Sequence, residues 1–139
     1  MDIRPLDETL SISPQIAPED LPAVAAQGFR SVISNRPDGE ETGQPGAAEL
    51  QQAAEAVGLV FAHLPVVGSA ISDKDVADFH RLLVDLPKPV FGFCRTGTRT
   101  TTLWALAKCG DESPDHLIRC ARSAGYDLDA LRPRLEGGS

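Results

Sequence analysis

The sequence is short of cysteine, of long apolar runs and of positive charge, and each shortage closes a class of function. Its three cysteines are Cys94, Cys109 and Cys120. An odd number at irregular spacing is not a disulfide framework, and no Cys-x-x-Cys pair occurs. His63, His80 and His116 are scattered without a metal-ligand spacing, so neither a metal nor another cofactor is expected. The apolar runs fall far short of a membrane span. The N-terminal MDIRPLDETL lacks the basic-then-apolar order of a signal peptide. The expectations are therefore a cytoplasmic location and no membrane partner. Lys and Arg number 13 against 20 Asp and Glu, a net charge of −7, which argues against a general nucleic-acid footprint.

What is present is ordinary globular composition, 42% apolar and 24% charged. The 139 residues suit a single domain over 1–139 that buries its own core without staples. Asp38–Gly46 (DGEETGQPG) is the most loop-like stretch, and the tail Glu136–Ser139 is expected to fray.

Strand and helix signals alternate. Leu10–Ile12, Arg30–Ser34, Leu59–Leu64 and Val90–Cys94 read as short strands. Between them, Pro18–Gln27 reads as a helix with acids in its first turn. Ala47–Val57 is helical by propensity and is stopped by Gly58. A helix opens at Ser72 with Asp75 completing a capping box, carries Val76, Phe79, Leu82 and Leu83 at helical spacing, and is limited by Pro87. Thr100–Cys109 continues the last strand as a helix. Ser113-Pro114 opens another that ends at Gly125, and Asp129–Leu135 forms a final turn. The alternation predicts an α/β fold with a central, mostly parallel sheet flanked by helices. Such sheets bind ligands at the carboxyl ends of their strands, where Cys94 stands.

Cys94-Arg95-Thr96-Gly97-Thr98-Arg99-Thr100 lies between an apolar strand and a helix. Backbone N–H groups in such a turn converge, and the helix N-terminus adds partial positive charge. Gly97 admits close approach of a ligand, and Arg95 and Arg99 supply guanidinium groups that grip oxyanions. A field of that kind favours a thiolate over a thiol. Cys94 is thus the candidate nucleophile, and Arg95, Thr96, Gly97 and Thr98 form the anion-binding loop. Cys109 and Cys120, mid-helix, read as small packing residues.

The chain resembles the phosphatase-like domain of the beta-lactamase hydrolase-like proteins, a bacterial relative of dual-specificity protein tyrosine phosphatases. The resemblance covers nearly the whole chain. It rests on Gly28-Phe29-Arg30-Ser31-Val32-Ile33-Ser34-Asn35-Arg36-Pro37-Asp38, on His63-Leu64-Pro65-Val66, and most specifically on CRTGTRT followed by Leu103-Trp104-Ala105-Leu106. It implies a tyrosine phosphatase-like fold, a phosphocysteine on Cys94, oxyanion stabilisation by Arg99, and help from Thr100 when the thiolate leaves. Relatives of this domain are joined to metallo-hydrolase domains, so a metallo-hydrolase is an implied partner.

The loop departs from the phosphatase pattern. Phe93, not His, precedes Cys94, and Arg99-Thr100 comes one residue early. The loop expected to carry a general-acid Asp reads Gly68-Ser69-Ala70-Ile71-Ser72, while Asp73 and Asp75 suit a helix start. Cys-Arg-x-Gly-x-Arg after an aromatic residue also resembles the active loop of rhodanese-type sulfurtransferases, in which the cysteine carries a persulfide. Three readings follow: a phosphatase-like hydrolase of a phosphoester, a sulfurtransferase using thiosulfate or a persulfide, and a non-catalytic anion-binding or redox-sensing pocket. All take a small anionic ligand. Arg36 and Asp38, at the end of a neighbouring parallel strand, stand either beside the same cleft or in a solvated turn. His63 reaches the cleft or packs at the surface. Trp104 reads as core.

Overall fold

The structure, a computed structural model, describes residues 1–137. Its strands are β1 (Arg4–Pro5), β2 (Leu10–Ser13), β3 (Ser31–Ser34), β4 (Val60–His63) and β5 (Val90–Phe93). They form one sheet in the order β1-β2-β5-β3-β4. All pairs are parallel except β1 with β2, so the expected α/β architecture with a mostly parallel sheet is observed. The edge strand β1 was absent from the sequence reading, because two residues carry no periodicity.

The helices are α1 (Leu21–Ala26), α2 (Ala47–Ala56), α3 (Asp73–Asp85), α4 (Thr98–Lys108), α5 (Pro114–Ser123) and α6 (Arg132–Glu136). The helix expected over Pro18–Gln27 is divided: Pro18–Asp20 winds as a tighter 3₁₀ turn before α1. The expected Asp129–Leu135 turn is likewise a 3₁₀ turn, Asp129–Leu131, followed by α6. Glu136 is helical and Gly137 caps the helix, its N–H donating to Pro133 O at 2.9 Å, so neither is frayed; residues 138–139 of that expectation lie outside the described residues. Among the described residues no helix is long and apolar enough to cross a membrane.

Alternation along the strands builds two cores. Val32, Phe91 and Phe93 point to one face and pack with Leu21, Val24, Leu50 and Ala54 from α1 and α2. Leu10, Ile12, Ile33 and Val90 point to the other, against Phe79, Leu103, Trp104 and Leu117 from α3, α4 and α5. Phe91 and Phe93 are wholly buried, each contributing about 1.5–3 kcal/mol of transfer free energy. The Trp104 indole, also wholly buried, donates from Nε1 to Asp7 Oδ2 at 2.9 Å.

Gly92 lets α4 reach the sheet. A Cβ there would stand 2.8 Å from the Thr100 methyl, closer than real contacts allow. The wholly apolar β5 is thus central, and its carboxyl end delivers Cys94 directly under the start of α4. Gly92→Ala should destabilise the fold by about 1–3 kcal/mol through overpacking. Urea unfolding would show this as a lower midpoint with an unchanged slope.

Candidate active site

Register sets the site. Ser13, Phe93, Ser34 and His63 stand side by side at the carboxyl ends of their strands. The residues just beyond them, including Gln15, Cys94, Asn35 and Arg36, therefore emerge at one edge of the sheet. Asn35 is wholly buried and locks that edge. Its Nδ2 donates to Leu64 O at 3.0 Å, its backbone N–H donates to Phe93 O at 2.9 Å, and its Oδ1 accepts from Thr100 Oγ1 at 2.9 Å.

Cys94 is 1% exposed and sits at the floor of the loop. The Gly97 N–H donates to its Sγ at 3.1 Å. Gly97 has φ of 96°, the left-handed region that glycine adopts at little cost, and is already the N-cap of α4. The helix consequently starts two residues earlier than the sequence suggested, at Thr98, and Arg99 and Thr100 belong to its first turn. Cys94 lies at the N-terminus of an eleven-residue helix whose dipole favours negative charge there.

Three arginines surround the loop, and two glutamates from the 38–46 connection answer them. Arg99 Nη1 and Nη2 donate to the Glu40 carboxylate at 2.8 and 2.9 Å, and Nη1 also donates to Val66 O at 3.0 Å. Arg36, only 4% exposed in its side chain, donates from Nε to Glu40 and from Nη2 to Glu41, each at 2.8 Å, and from Nη1 to Gln15 Oε1 at 3.0 Å. The Arg95 side chain is largely exposed and pairs with Glu41 at 2.9 Å. The hydrogen bond from Arg99 is the largest effect on the Glu40 carboxyl; burial opposes it, and with the hydrogen bond from Arg36 added the carboxyl is held down to about 2. Arg99 is raised in turn, first by Glu40 and also by the nearby Cys94 sulfur. A cleft of ≈ 300 Å³ opens above the loop, bounded by Gly68, Ile71, Arg95, Thr96, Thr98 and Arg99.

These contacts redistribute the residues that the sequence singled out. Arg36 is not in a solvated turn: its buried guanidinium donates to Glu40, Glu41 and Gln15, and it lines a neighbouring cleft with Arg95. Asp38 accepts from the Ala47 N–H at 2.9 Å and so caps α2. His63 Nε2 donates to Arg36 O at 2.8 Å, bracing that turn. Thr100, expected to assist a departing thiolate, turns its hydroxyl to Asn35 instead. Asp73 and Asp75 are taken up by Arg134 and by the Ser72 capping box. Cys109 donates from Sγ to Leu106 O, whereas Cys120 lies against His116.

The sequence reading missed Asn35, Glu40 and Glu41. The signal for the glutamates was DGEE following an arginine at a strand end, which the loop composition around it obscured.

The model of the beta-lactamase hydrolase-like protein, phosphatase-like domain, matches residues 2–111. A beta-lactamase hydrolase-like protein of Agrobacterium fabrum is 37% identical over 133 residues, covering 94% of this chain and 31% of the relative. The chain belongs to this phosphatase-like domain family. It spans about a third of the length of the curated relatives it matches, 30% of one from Xylella fastidiosa. A crystal structure of a Neisseria meningitidis Z2491 protein, provisionally named a phosphatase, superposes with a TM-score of 0.90. That protein is 40% identical, with 100% of this chain and 99% of that one covered. The core catalytic domain of a PP-IP phosphatase from S. cerevisiae shares the fold alone, at TM-score 0.73 and 15% identity over 98% of this chain and 84% of that one. The fold is that of the tyrosine and dual-specificity phosphatases, and the family is one of phosphatase-like enzymes.

Glu40 sets a pH dependence. Its folded value of about 2 lies below the ordinary 4.5, so its stabilising pairs are intact above pH 4.5 and are lost as pH falls toward 2. Chemical denaturation across that window should show the stability gap between wild type and Glu40→Gln closing. A gap constant with pH would refute the ionic role of Glu40.

Proposed function

We propose that the chain is a cysteine-dependent phosphatase-like hydrolase of small phosphoesters, with Cys94 as the nucleophile. The observation that carries this reading is the seat of Cys94: at the end of the central strand, under the N-terminus of α4, with the Gly97 N–H on its sulfur. The Cys94 thiolate attacks phosphorus, a P–S bond forms, and the P–O bond to the leaving group breaks. Loop N–H groups and Arg99 carry the charge on the remaining oxygens. Water then splits the P–S bond and releases inorganic phosphate and the thiolate. Both hydrogen bonds of Arg99 to Glu40 hold the guanidinium in position close to the Cys94 sulfur.

Glu40 is held too acidic to donate a proton near neutral pH, and Asp73 and Asp75 are committed to the start of α3. The leaving group therefore departs as an anion, which favours substrates with acidic leaving groups, such as aryl phosphates and mixed anhydrides. The modest cleft of ≈ 300 Å³ suits a compact substrate.

The same lack of a proton donor, with the four-residue spacing from Cys94 to Arg99, favours sulfur transfer as the second reading. There the thiolate attacks the outer sulfur of thiosulfate, an S–S bond forms, and sulfite leaves without needing a proton. Because the family relatives are about three times longer, a metallo-hydrolase neighbour is part of this proposal for either chemistry.

Wild-type protein should release phosphate from an aryl phosphate, and Cys94→Ala should lower the rate on the order of 10³-fold or more. Intact mass after thiosulfate treatment reads the alternative. A gain of one sulfur on the wild type, with no phosphate released, would replace the phosphatase reading with sulfur transfer.

A further inference from the structure

Tyr126 lies beyond the stretch matched by the family model, in the turn after α5, yet it touches the active loop. Its hydroxyl donates to Thr96 O at 2.8 Å. The peptide joining Thr96 to Gly97 is a rigid plane, with its C=O and N–H pointing in opposite directions. One side of that plane is fixed by Tyr126, and the other side is the N–H that donates to Cys94 Sγ. Rotating this peptide would withdraw the N–H from the sulfur and swing a carbonyl toward the place where an anion binds. Gly97 is also the one residue that fits beneath the phenol, since any Cβ there would collide with the Tyr126 hydroxyl.

Tyr126 is itself held. The Arg4 guanidinium stacks over its ring, 5.6 Å from the centroid, and Arg4 Nη1 donates to Ala124 O at 2.9 Å. Arg4 of the edge strand β1 and the turn after α5 thereby hold Tyr126 against the loop. Burial raises the Tyr126 phenol, so its proton stays available for this hydrogen bond at neutral pH.

We propose that Tyr126 is a positioning residue that orients the Thr96–Gly97 peptide so that its N–H faces Cys94 and the bound anion. The inference uses the anion-binding role of the loop from the proposed function, and does not depend on which chemistry follows.

The test is alkylation of Cys94 by iodoacetamide, followed by mass spectrometry, with increasing inorganic phosphate as the protecting anion. In Tyr126→Phe the ring and its stacking remain and only the hydroxyl is lost. The phosphate concentration for half-protection should rise about five- to tenfold, the worth of one hydrogen bond. The thermal midpoint should stay near wild type, and in aryl phosphate turnover KM should rise more than kcat falls. Arg4→Met should shift half-protection in the same direction by a smaller factor. Unchanged half-protection in Tyr126→Phe overturns the proposal, as does a failure of phosphate to protect the wild type. Protection that weakens in Tyr126→Phe, in a protein that turns over no phosphoester, upholds the positioning role and overturns the phosphatase reading alone.

Discussion

Asn35 has no water to turn to, so the protein must satisfy each of its polar atoms. Its amide joins the turn after β4 to the first turn of α4, while its backbone N–H extends the pairing of β3 with β5. Leaving such a buried amide half-satisfied costs about 1–3 kcal/mol, so the three elements are fixed relative to one another. The distance from the end of β5 to the start of α4, and hence the shape of the Cys94 loop, follows from this tie. Gly92 completes the constraint from the sheet side by letting the Thr100 methyl come close. Thr100 thus serves the loop by holding its frame.

The second organising principle is charge. Arg36 is almost wholly buried, and a buried guanidinium is retained only when its donors are matched. Glu40, Glu41 and Gln15 supply the match. Glu40 then extends the network to Arg99. In the proposed reaction, a guanidinium fixed in this way lowers the ordering cost of binding. The network also places two carboxylates near the cleft, which moderate the field of three arginines. An overall acidic protein can in this way keep a small cluster of arginines at one edge of its sheet.

The fold of the tyrosine phosphatases and the loop of this chain are separable. The family and the fold are those of phosphatase-like enzymes. The loop carries Phe93 before the cysteine and a shortened distance to Arg99. Chemistry resides in the placement of a few groups at a strand end and not in the sheet beneath them.

Hydropathy alternation and turn residues determined most of the architecture. The apolar Val90-Phe91-Gly92-Phe93 run had to be a buried strand, the Ser72–Asp75 pair had to open a helix, and a cysteine followed by glycine and two arginines had to sit at a strand-to-helix turn. These are local signals, expressed within a few residues of where they act. Tertiary structure decided what those residues do to one another. Glu40 reaches Arg99 across 59 positions, Thr100 reaches Asn35 across 65, and Tyr126 reaches Thr96 across 30. Side chains so far apart meet only because parallel strands bring their carboxyl ends to one edge and the chain ends fold back behind it. Local periodicity carries no information about such meetings, so the partners of the site arginines and the brace beneath the loop were not legible in the sequence alone.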